Sequence, residues 1–275
     1  MKTRIFVTGG ASGLGREIAL RWAREGAMVC IGDLNDARGK TVAAEIDVAG
    51  GIGLYLPCDV TRVEDLRMVA EILGREWGGV DIVVNNAGVA TAGTLESESI
   101  QQWEWILNIN LLGVVRGCQV FAPLFRRQGS GHFVNIASMA GLVHPPAMGS
   151  YNAAKAAVVA FSETLRLELG ADNIAVTVVC PSFFQTNLTE SLRSTDPNAA
   201  AMMKRLFTKA RITAAGVADV VYTGVGKKRY LVLPHQDDRK AHLIKRFLPV
   251  NRYLKFMTRM MGRSLRRRSV SVTSL

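Results

Sequence analysis

The 275-residue chain has few cysteines and no long unbroken apolar run. Its four cysteines are widely spaced, without a Cys-x-x-Cys pair, which argues against a disulfide framework or a zinc site and fits a reducing cytoplasm. No stretch of about eighteen residues is apolar throughout, so the sequence predicts no transmembrane helix. The N-terminus enters an apolar strand at once, without a small-residue cleavage site, which argues against secretion. We therefore expect a cytoplasmic protein with no bound metal.

Acidic residues are scarce at the C-terminal end. Residues 227–275 contain fourteen of the 34 Lys and Arg residues but only two acids, Asp237 and Asp238. The net charge of +11 therefore belongs to this segment, and residues 1–226 are nearly neutral. The hydrophobic content of 48% is typical of a folded chain, and the length suffices for one large core or two small ones.

Short apolar runs alternate with amphipathic stretches along the first two-thirds of the chain. Strands are predicted at 4–8, 27–33, 52–59, 80–85, 131–136 and 174–180, with a seventh at 229–233, and helices at 13–25, 36–49, 62–77, 99–127 and 151–170. Runs rich in Val and Ile indicate strands covered on both faces, and the β-α alternation indicates a parallel sheet. The predicted fold is a single doubly wound α/β (Rossmann-like) sheet of about seven strands with helices on both faces. Such sheets bind ligands beyond the carboxyl ends of their strands.

Glycine-rich and polar residues follow the first four predicted strands. Thr8-Gly9-Gly10-Ala11-Ser12-Gly13-Leu14-Gly15 leads into a helix, whose free N–H groups suit a pyrophosphate, although any tight turn can use glycine. Asp33 ends the second strand, where its carboxylate can accept hydrogen bonds from ribose hydroxyls and would repel a 2′-phosphate. Asp59 ends the third strand and could contact adenine, but both aspartates can instead cap the helices that follow. Asn85-Asn86-Ala87-Gly88 ends the fourth strand and lets a planar ring approach closely.

Tyr151 and Lys155 stand four residues apart in a predicted helix, and Ser138 lies thirteen residues upstream of Tyr151. The i, i+4 spacing places phenol and ammonium on one helix face. A nearby positive charge favours the phenolate and moves the phenol pKa, ordinarily about 10, down towards neutral pH. A serine hydroxyl can then hold a substrate oxygen while the tyrosine transfers a proton, which suits carbonyl–alcohol interconversion. A chance pair on a solvated helix face is the alternative.

In their order along the chain, these residues resemble the short-chain dehydrogenase/reductase family of the Tyr-x-x-x-Lys type. The matching elements are Thr8-Gly9-x-x-x-Gly13-x-Gly15, Asp59, Asn85-Asn86-Ala87-Gly88, Asn110, Ser138, Tyr151-x-x-x-Lys155, Pro181 and Thr186. The resemblance covers residues 1 to about 235. One departure is Ser182, where the family commonly has a glycine after the proline.

The resemblance implies a role for each matching position. Tyr151 would be the general acid/base, and Lys155 would lower its pKa and bind the nicotinamide ribose. Ser138 would polarise the substrate oxygen, and Asn110 would hold a water that links Lys155 to solvent. The implied cofactor contacts are Gly9, Ser12, Gly13, Leu14, Gly15, Asp33, Asp59, Val60, Asn86, Ala87, Gly88, Tyr151, Lys155, Pro181 and Thr186.

The choice of cofactor depends mainly on Asp33, which favours NAD over NADP. Family members that prefer NADP tend to carry a basic residue just before the second glycine or just after the second strand. Here those positions hold the neutral residues Ser12 and Leu34. Arg16 and Arg38 are near enough to keep NADP open.

Two segments are expected to select the substrate: 139–150, between the predicted catalytic serine and tyrosine, and 182–213, a predicted lid. Both are rich in apolar residues, which favours a bulky hydrophobic ketone, aldehyde or secondary alcohol. His144 is the one titratable side chain in the first segment. We expect it to be a packing or surface residue rather than a second base.

Beyond the predicted dehydrogenase/reductase domain, 1–235, residues 236–275 form a basic amphipathic extension that we expect to be helical, with disordered last residues. This composition is typical of a segment that contacts a membrane surface. Packing of its apolar stripe on the enzyme or on another subunit is the alternative. No aromatic-interleaved pattern for reading bases is present, so nucleic acid is not an expected partner. The family resemblance implies a homodimer or homotetramer that pairs through 99–127 and 151–170.

The sequence thus predicts an NAD(P)-dependent alcohol dehydrogenase or carbonyl reductase that acts on a bulky hydrophobic small molecule. Two alternatives stay open. One is a redox-neutral family member, a dehydratase or epimerase. The other is a non-catalytic dinucleotide-sensing protein at a membrane, against which the intact Ser138, Tyr151 and Lys155 argue, because a pure binder does not need the tyrosine.

Overall fold

The computed structural model describes residues 2–184, 190–194, 201, 205, 210 and 212–269. Its strands are β1 (Arg4–Thr8), β2 (Met28–Asp33), β3 (Ile52–Pro57), β4 (Ile82–Asn85), β5 (Gly131–Ile136), β6 (Ile174–Val179) and β7 (Leu231–Val232). Within the described residues they form one parallel sheet in the order β3-β2-β1-β4-β5-β6-β7. The prediction of a doubly wound parallel sheet is confirmed.

Helices connect the strands, and two more come after the last strand in the sequence. They are α1 (Gly13–Ala23), α2 (Asp36–Val48), α3 (Val63–Trp77), α4 (Ile100–Leu107), α5 (Gly113–Gln128), α6 (Ala140–Val143), α7 (Gly149–Leu169), α8 (Ala214–Gly226), α9 (Gln236–Phe247) and α10 (Val250–Ser269). The long helix predicted at 99–127 is interrupted by a π-helical turn at Asn108–Leu112. The helix predicted from 151 begins two residues earlier, so Tyr151 lies in its first turn.

The core lies on both faces of the sheet. Ile5 and Val7 of β1 are fully buried in a cluster with residues of α1 and α8. Phe6 points to the opposite face, because side chains alternate along a strand, and its ring centroid lies 5.4 Å from that of Phe121 in α5. Burial of each large apolar side chain contributes about 1.5–3 kcal/mol. The two layers fix the carboxyl edge of the sheet, where the site is formed.

The stretch Ile100–Gln128 could cross a membrane by length and composition alone, but 44% of its most apolar part is buried inside the protein. Phe121 and Phe125 in α5 are fully buried. This stretch is a core helix, and core helices meet the same two criteria. The chain divides into two compact units, residues 1–234 and residues 235–275, and the second contains α9 and α10.

Candidate active site

A cavity of about 600 Å³ opens at the carboxyl ends of the strands. The strand order reverses between β1 and β4, and ligands of doubly wound sheets bind at such a switch point. The cavity is lined by most of the predicted cofactor contacts, namely Gly9, Ser12, Gly13, Leu14, Asp33, Asp59, Val60, Asn86, Ala87, Gly88, Tyr151, Lys155 and Pro181. Of the other two, Gly15 is not one of the lining residues, and Thr186 falls outside the described residues.

The glycine turn brings the start of α1 to the cavity. Gly9 has a positive φ of +62°, and a Cβ at this position would lie 2.8 Å from the Ala87 Cα. A Cβ on Gly15 would lie 2.2 Å from the Gly9 carbonyl oxygen. Both glycines are therefore required by protein packing. Among the described side chains none caps α1, since the Ser12 hydroxyl makes no capping hydrogen bond, and the first turn suits an anion.

The Asn86 side chain, just after β4, hydrogen-bonds to the glycine turn. Its Nδ2 donates to the carbonyl oxygens of Thr8, at 2.9 Å, and Gly9, at 3.1 Å. The Thr8 hydroxyl oxygen accepts from the main-chain N–H groups of Asn86 and Ala87, both at 3.0 Å. Asn86 lines the cavity, and its amide group hydrogen-bonds to the glycine turn.

Asp33 and Asp59 both line the cavity, and neither caps the helix that follows it. The Asp33 carboxylate accepts hydrogen bonds from the main-chain N–H groups of Ala11 and Asn35, and the side chain of Asn35 caps α2. The Asp59 carboxylate accepts from the main-chain N–H and the hydroxyl of Thr61. The capping alternative is thus wrong for both aspartates, although local hydrogen bonds orient their carboxylates.

Tyr151 and Lys155 line the cavity, and the half-buried Ser138 lies beside the Tyr151 phenol. Tyr151 and Lys155 are 7% and 4% exposed, and the Lys155 Nζ lies 5.9 Å from the centroid of the Tyr151 ring. The Lys155 Nζ donates to the Ile136 carbonyl oxygen at 2.9 Å. Ser138 forms a hydrogen bond with the Tyr151 phenol, and its hydroxyl oxygen accepts from the Ala140 N–H at 3.1 Å. The i, i+4 spacing therefore forms a buried cluster rather than a solvated helix face.

The pKa of Tyr151 differs from the sequence-based expectation. Burial raises it to about 12, and the hydrogen bond with Ser138 opposes this rise. Burial also lowers the pKa of Lys155 to about 8. The expected lowering of the Tyr151 pKa is not found here, because the loss of water around the phenol outweighs the effect of the Ser138 hydrogen bond.

Asn110 lies in the π-helical turn and is fully buried. Its Oδ1 accepts from the Val89 N–H at 2.8 Å, and its Nδ2 donates to the Val89 carbonyl oxygen at 2.9 Å. A Cβ on Gly88 would lie 3.1 Å from the Asn110 Oδ1 and 3.6 Å from the Lys155 Nζ. The side chain therefore holds the loop after β4 next to Lys155. The water link stays a prediction.

The comparison with known families agrees with this geometry. The family model described as short chain dehydrogenase matches residues 3–197. The chain belongs to the short-chain dehydrogenase/reductase family.

Curated members of the family similar to this chain are oxidoreductases. A "probable oxidoreductase EphD" of Mycobacterium tuberculosis is 36% identical over 256 residues, which are 90% of this chain and 43% of that protein. The chain thus spans less than half the length of this relative. A 3-alpha-(or 20-beta)-hydroxysteroid dehydrogenase of Mycobacterium bovis is 35% identical over 185 residues, which are 67% of this chain and 70% of that protein.

Solved structures of the family share the fold. A short-chain dehydrogenase/reductase from Burkholderia phymatum in complex with NAD gives a TM-score of 0.84 at 28% identity, and the match covers 89% of this chain and 93% of that chain. A short-chain type dehydrogenase/reductase from Mycobacterium marinum gives a TM-score of 0.74 at 27% identity, covering 84% and 93%.

Apolar side chains pack against Tyr151. Tyr151 packs in a cluster with Ala92, Ile106, Ala140, Met148, Val89, Trp105, Phe183 and Leu192. His144 is exposed, with a φ of 54°, and its Nε2 lies 3.1 Å from the Gly141 carbonyl oxygen. This local contact is that of a surface residue.

Two polar residues near the site, Arg193 and Glu98, were not predicted from the sequence. Arg193 forms a β-bridge with Thr91, and its guanidinium lies 3.7 Å from the centroid of the Trp105 ring, which lines the cavity. The buried Glu98 binds Ser150, the neighbour of Tyr151. Both partners are distant in sequence, so no local pattern could have revealed them. Among the described residues, no cluster of His, Cys, Asp and Glu could hold a metal ion.

Proposed function

We propose that this family member is an NAD(P)-dependent alcohol dehydrogenase or carbonyl reductase for a bulky hydrophobic substrate, with Tyr151 as the general acid/base. The observation that carries the proposal is the buried pair Tyr151 and Lys155 in the wall of the cavity, with Ser138 beside the Tyr151 phenol. A protein that only binds a dinucleotide, without catalysing a reaction, has no need of a buried phenol beside a buried ammonium.

The residues of the cavity fit a nicotinamide dinucleotide. The uncapped start of α1 suits the pyrophosphate, and the small residues Ala87 and Gly88 leave room for a planar ring near Lys155. Asp33 and Asp59 line the same cavity, where the adenosine end would lie. We assign Thr186 to the carboxamide of the nicotinamide from the family resemblance alone. When bound, the nicotinamide supplies or accepts the hydride at its C4.

The residues of the chain supply the proton and hold the substrate oxygen. In reduction, Ser138 donates a hydrogen bond to the carbonyl oxygen, and Tyr151 gives that oxygen its phenolic proton. In oxidation, Tyr151 as phenolate takes the hydroxyl proton. Because its pKa is raised to about 12, Tyr151 carries its proton at neutral pH, which favours the role of proton donor. Lys155 would bind the ribose, and Asn110 would position the loop beside it.

We propose that NAD is preferred over NADP. The Asp33 carboxylate would accept hydrogen bonds from ribose hydroxyls and repel a 2′-phosphate. The two arginines that kept NADP open are already paired: Arg16 with Glu17 and Glu45, and Arg38 with Glu190. The bound NAD of the Burkholderia phymatum relative supports the same choice.

We propose that the substrate is bulky and hydrophobic. The cluster around Tyr151 supports this, since its partners are apolar or aromatic side chains. The hydroxysteroid dehydrogenase among the relatives also supports a substrate of this kind. The segment 182–213 would act as a lid of the domain 1–235. Arg193, one of its described residues, is anchored to Thr91 and Trp105 at the cavity wall.

The function is tested with a panel of aliphatic, aryl and steroid-like ketones and alcohols, each assayed with NADH, NADPH and their oxidised forms. We expect absorbance of the reduced nicotinamide to change in steady state with the bulkier members. Substrate conversion without net change in cofactor would instead identify a redox-neutral dehydratase or epimerase. Dinucleotide binding without conversion across the panel would support the non-catalytic alternative.

We further propose a cytoplasmic homodimer or homotetramer. The helices α4 to α5 and α7 are the expected contact surfaces, and the exposed Leu112 and Leu167 lie on them. Sedimentation velocity of the full chain measures the assembly. A monomer at micromolar concentration would contradict this proposal.

A further inference from the structure

The second compact unit, residues 235–275, presents large apolar side chains to solvent. In α9, Leu243 and Phe247 are 51% and 74% exposed, and in α10, Val250 and Leu254 are 67% and 54% exposed. Each pair has i, i+4 spacing and therefore lies on one face of its helix. Solvent-exposed clusters of this kind mark contact surfaces, since isolated exposed apolar residues are ordinary but grouped ones are not.

Basic side chains surround this apolar surface. Lys240 and Arg246 are exposed in α9. Arg252, Lys255 and Arg259, also exposed, lie on the side of α10 opposite to Val250 and Leu254 at 3.6 residues per turn. Within the unit, the Lys245 Nζ of α9 lies 5.8 Å from the centroid of the Tyr253 ring of α10. The described part of the unit is thus amphipathic, with a cationic polar side.

The charge distribution decides what can cover the apolar surface. Residues 235–275 contain eleven Lys and Arg residues against two acids, Asp237 and Asp238. Two such units placed face to face would repel each other. Residues 1–234 contain 23 basic and 21 acidic residues, so a second copy offers no opposite net charge there either. The partner must carry negative charge and accept apolar side chains. An anionic lipid surface does both, since its headgroups attract Lys and Arg and its acyl boundary accepts Leu and Phe.

We propose that residues 235–275 bind the surface of an anionic lipid bilayer. The Leu243, Phe247, Val250 and Leu254 side chains enter the boundary between headgroups and acyl chains, and the basic residues contact the headgroups. Each basic residue near such a surface strengthens binding by about fivefold. This inference is independent of the reaction proposed above, because it depends on the second unit alone.

The full-length chain is mixed with two kinds of vesicles, phosphatidylcholine alone and phosphatidylcholine with phosphatidylserine in equal amounts, and bound protein is measured by co-sedimentation. We expect binding to the mixed vesicles only, weakened as the salt concentration rises from about 0.1 M to about 1 M, where the screening length falls from ~10 Å to ~3 Å. The R252Q/K255Q variant should bind about 30-fold more weakly. The matched control K40Q/R67Q removes two exposed charges from the first unit and should bind like the wild type.

The F247A/L254A variant tests insertion of the apolar side chains, with Leu95→Ala as the control for an exposed leucine of the first unit. We expect at least a tenfold loss of vesicle binding at unchanged melting temperature. Unchanged vesicle binding by F247A/L254A would overturn the proposal that these side chains insert into the bilayer. Equal binding to both kinds of vesicles, or none, would overturn the proposal as a whole. A lower sedimentation coefficient of F247A/L254A than of the wild type, measured without vesicles, would show instead that the apolar surface is an interface between copies of the chain.

Discussion

The Glu98 carboxylate accepts two hydrogen bonds from Ser150, one from its main-chain N–H at 3.2 Å and one from its hydroxyl at 3.0 Å. The Ser150 oxygen lies 2.7 Å from the Thr91 hydroxyl, which can donate to it. All three residues are buried. Ser150 precedes Tyr151 in the first turn of α7, whose start lacks a cap from its own N-cap residue, Met148. Glu98 therefore serves as the acceptor that fixes the helix turn carrying the phenol.

Replacing Glu98 by glutamine should reduce turnover more than cofactor binding. A glutamine offers one acceptor oxygen instead of two, so one amide hydrogen would face a donor of Ser150 and the first turn of α7 would shift. We expect kcat for ketone reduction to fall about 10- to 100-fold. The KM for NADH should change less than about threefold, since the glycine turn and Asp33 are distant from this contact. Glu96→Gln, at an exposed position nearby, is the control. Equal losses in kcat and NADH affinity would indicate general unfolding instead.

Replacing Tyr151 by phenylalanine should remove the proton donor and leave the cavity in place. We expect kcat to fall about 10²- to 10⁴-fold, the usual range for loss of a general acid. NADH binding, followed by its fluorescence, should stay within about threefold of the wild type. Tyr222→Phe, which alters a ring packed on Trp22, is the matched control. Near-normal activity of the Tyr151 variant would show that another group moves the proton.

The order of motifs along the chain was enough to predict the sheet and the position of the cavity. Parallel strands bring their carboxyl ends to one edge, so Gly9, Asp33, Asp59 and Gly88 meet there whatever the connecting helices do. The i, i+4 spacing of Tyr151 and Lys155 likewise follows from helix geometry alone. Such features depend on local sequence or on topology, and both can be predicted without the tertiary structure.

Long-range contacts and desolvation could not be predicted in that way. The Glu98 and Asn110 contacts each join residues from separate loops and helices, at separations of 52 and 21 residues. The pKa of Tyr151 depends on how much water the surrounding side chains exclude, and a sequence gives no measure of it. The π-helical turn Asn108–Leu112 that interrupts the long helix likewise has no glycine or proline to mark it in the sequence. Tertiary packing decides all of these features.

Replacing Asp33 by asparagine should weaken discrimination against NADPH. The amide keeps the size of the carboxylate but removes the negative charge that would face a 2′-phosphate. We expect the ratio of kcat/KM for NADH to that for NADPH to fall at least about tenfold. Asp36→Asn, which removes a carboxylate at the start of α2, is the control for a charge just outside the cavity. An unchanged ratio would contradict the assignment of Asp33 to the adenosine ribose.

His132 in β5 makes a buried hydrogen bond that should limit stability in acid. Its Nε2 lies 2.8 Å from the Thr177 hydroxyl, which itself donates to the Arg229 carbonyl oxygen, so the imidazole must be the donor. The ring is 7% exposed. Burial, and then the nearby Lys228 and Arg166, lower its pKa to about 4. The folded protein therefore keeps His132 neutral at pH values where the unfolded chain binds a proton.

The free energy of unfolding should consequently decrease as the pH falls from about 6.5 towards about 4. In that window the unfolded state binds more protons than the folded state, so acid favours unfolding. With an ordinary histidine pKa of about 6.5, the contribution lost between pH 7 and pH 5 is about 2 kcal/mol. Urea unfolding at both pH values measures it. His132→Gln keeps an N–H donor for Thr177 but has no titrating group. The free energy of unfolding of this variant should therefore fall by about 2 kcal/mol less than that of the wild type between pH 7 and pH 5. If wild type and variant lost equal stability, other groups would account for the acid sensitivity.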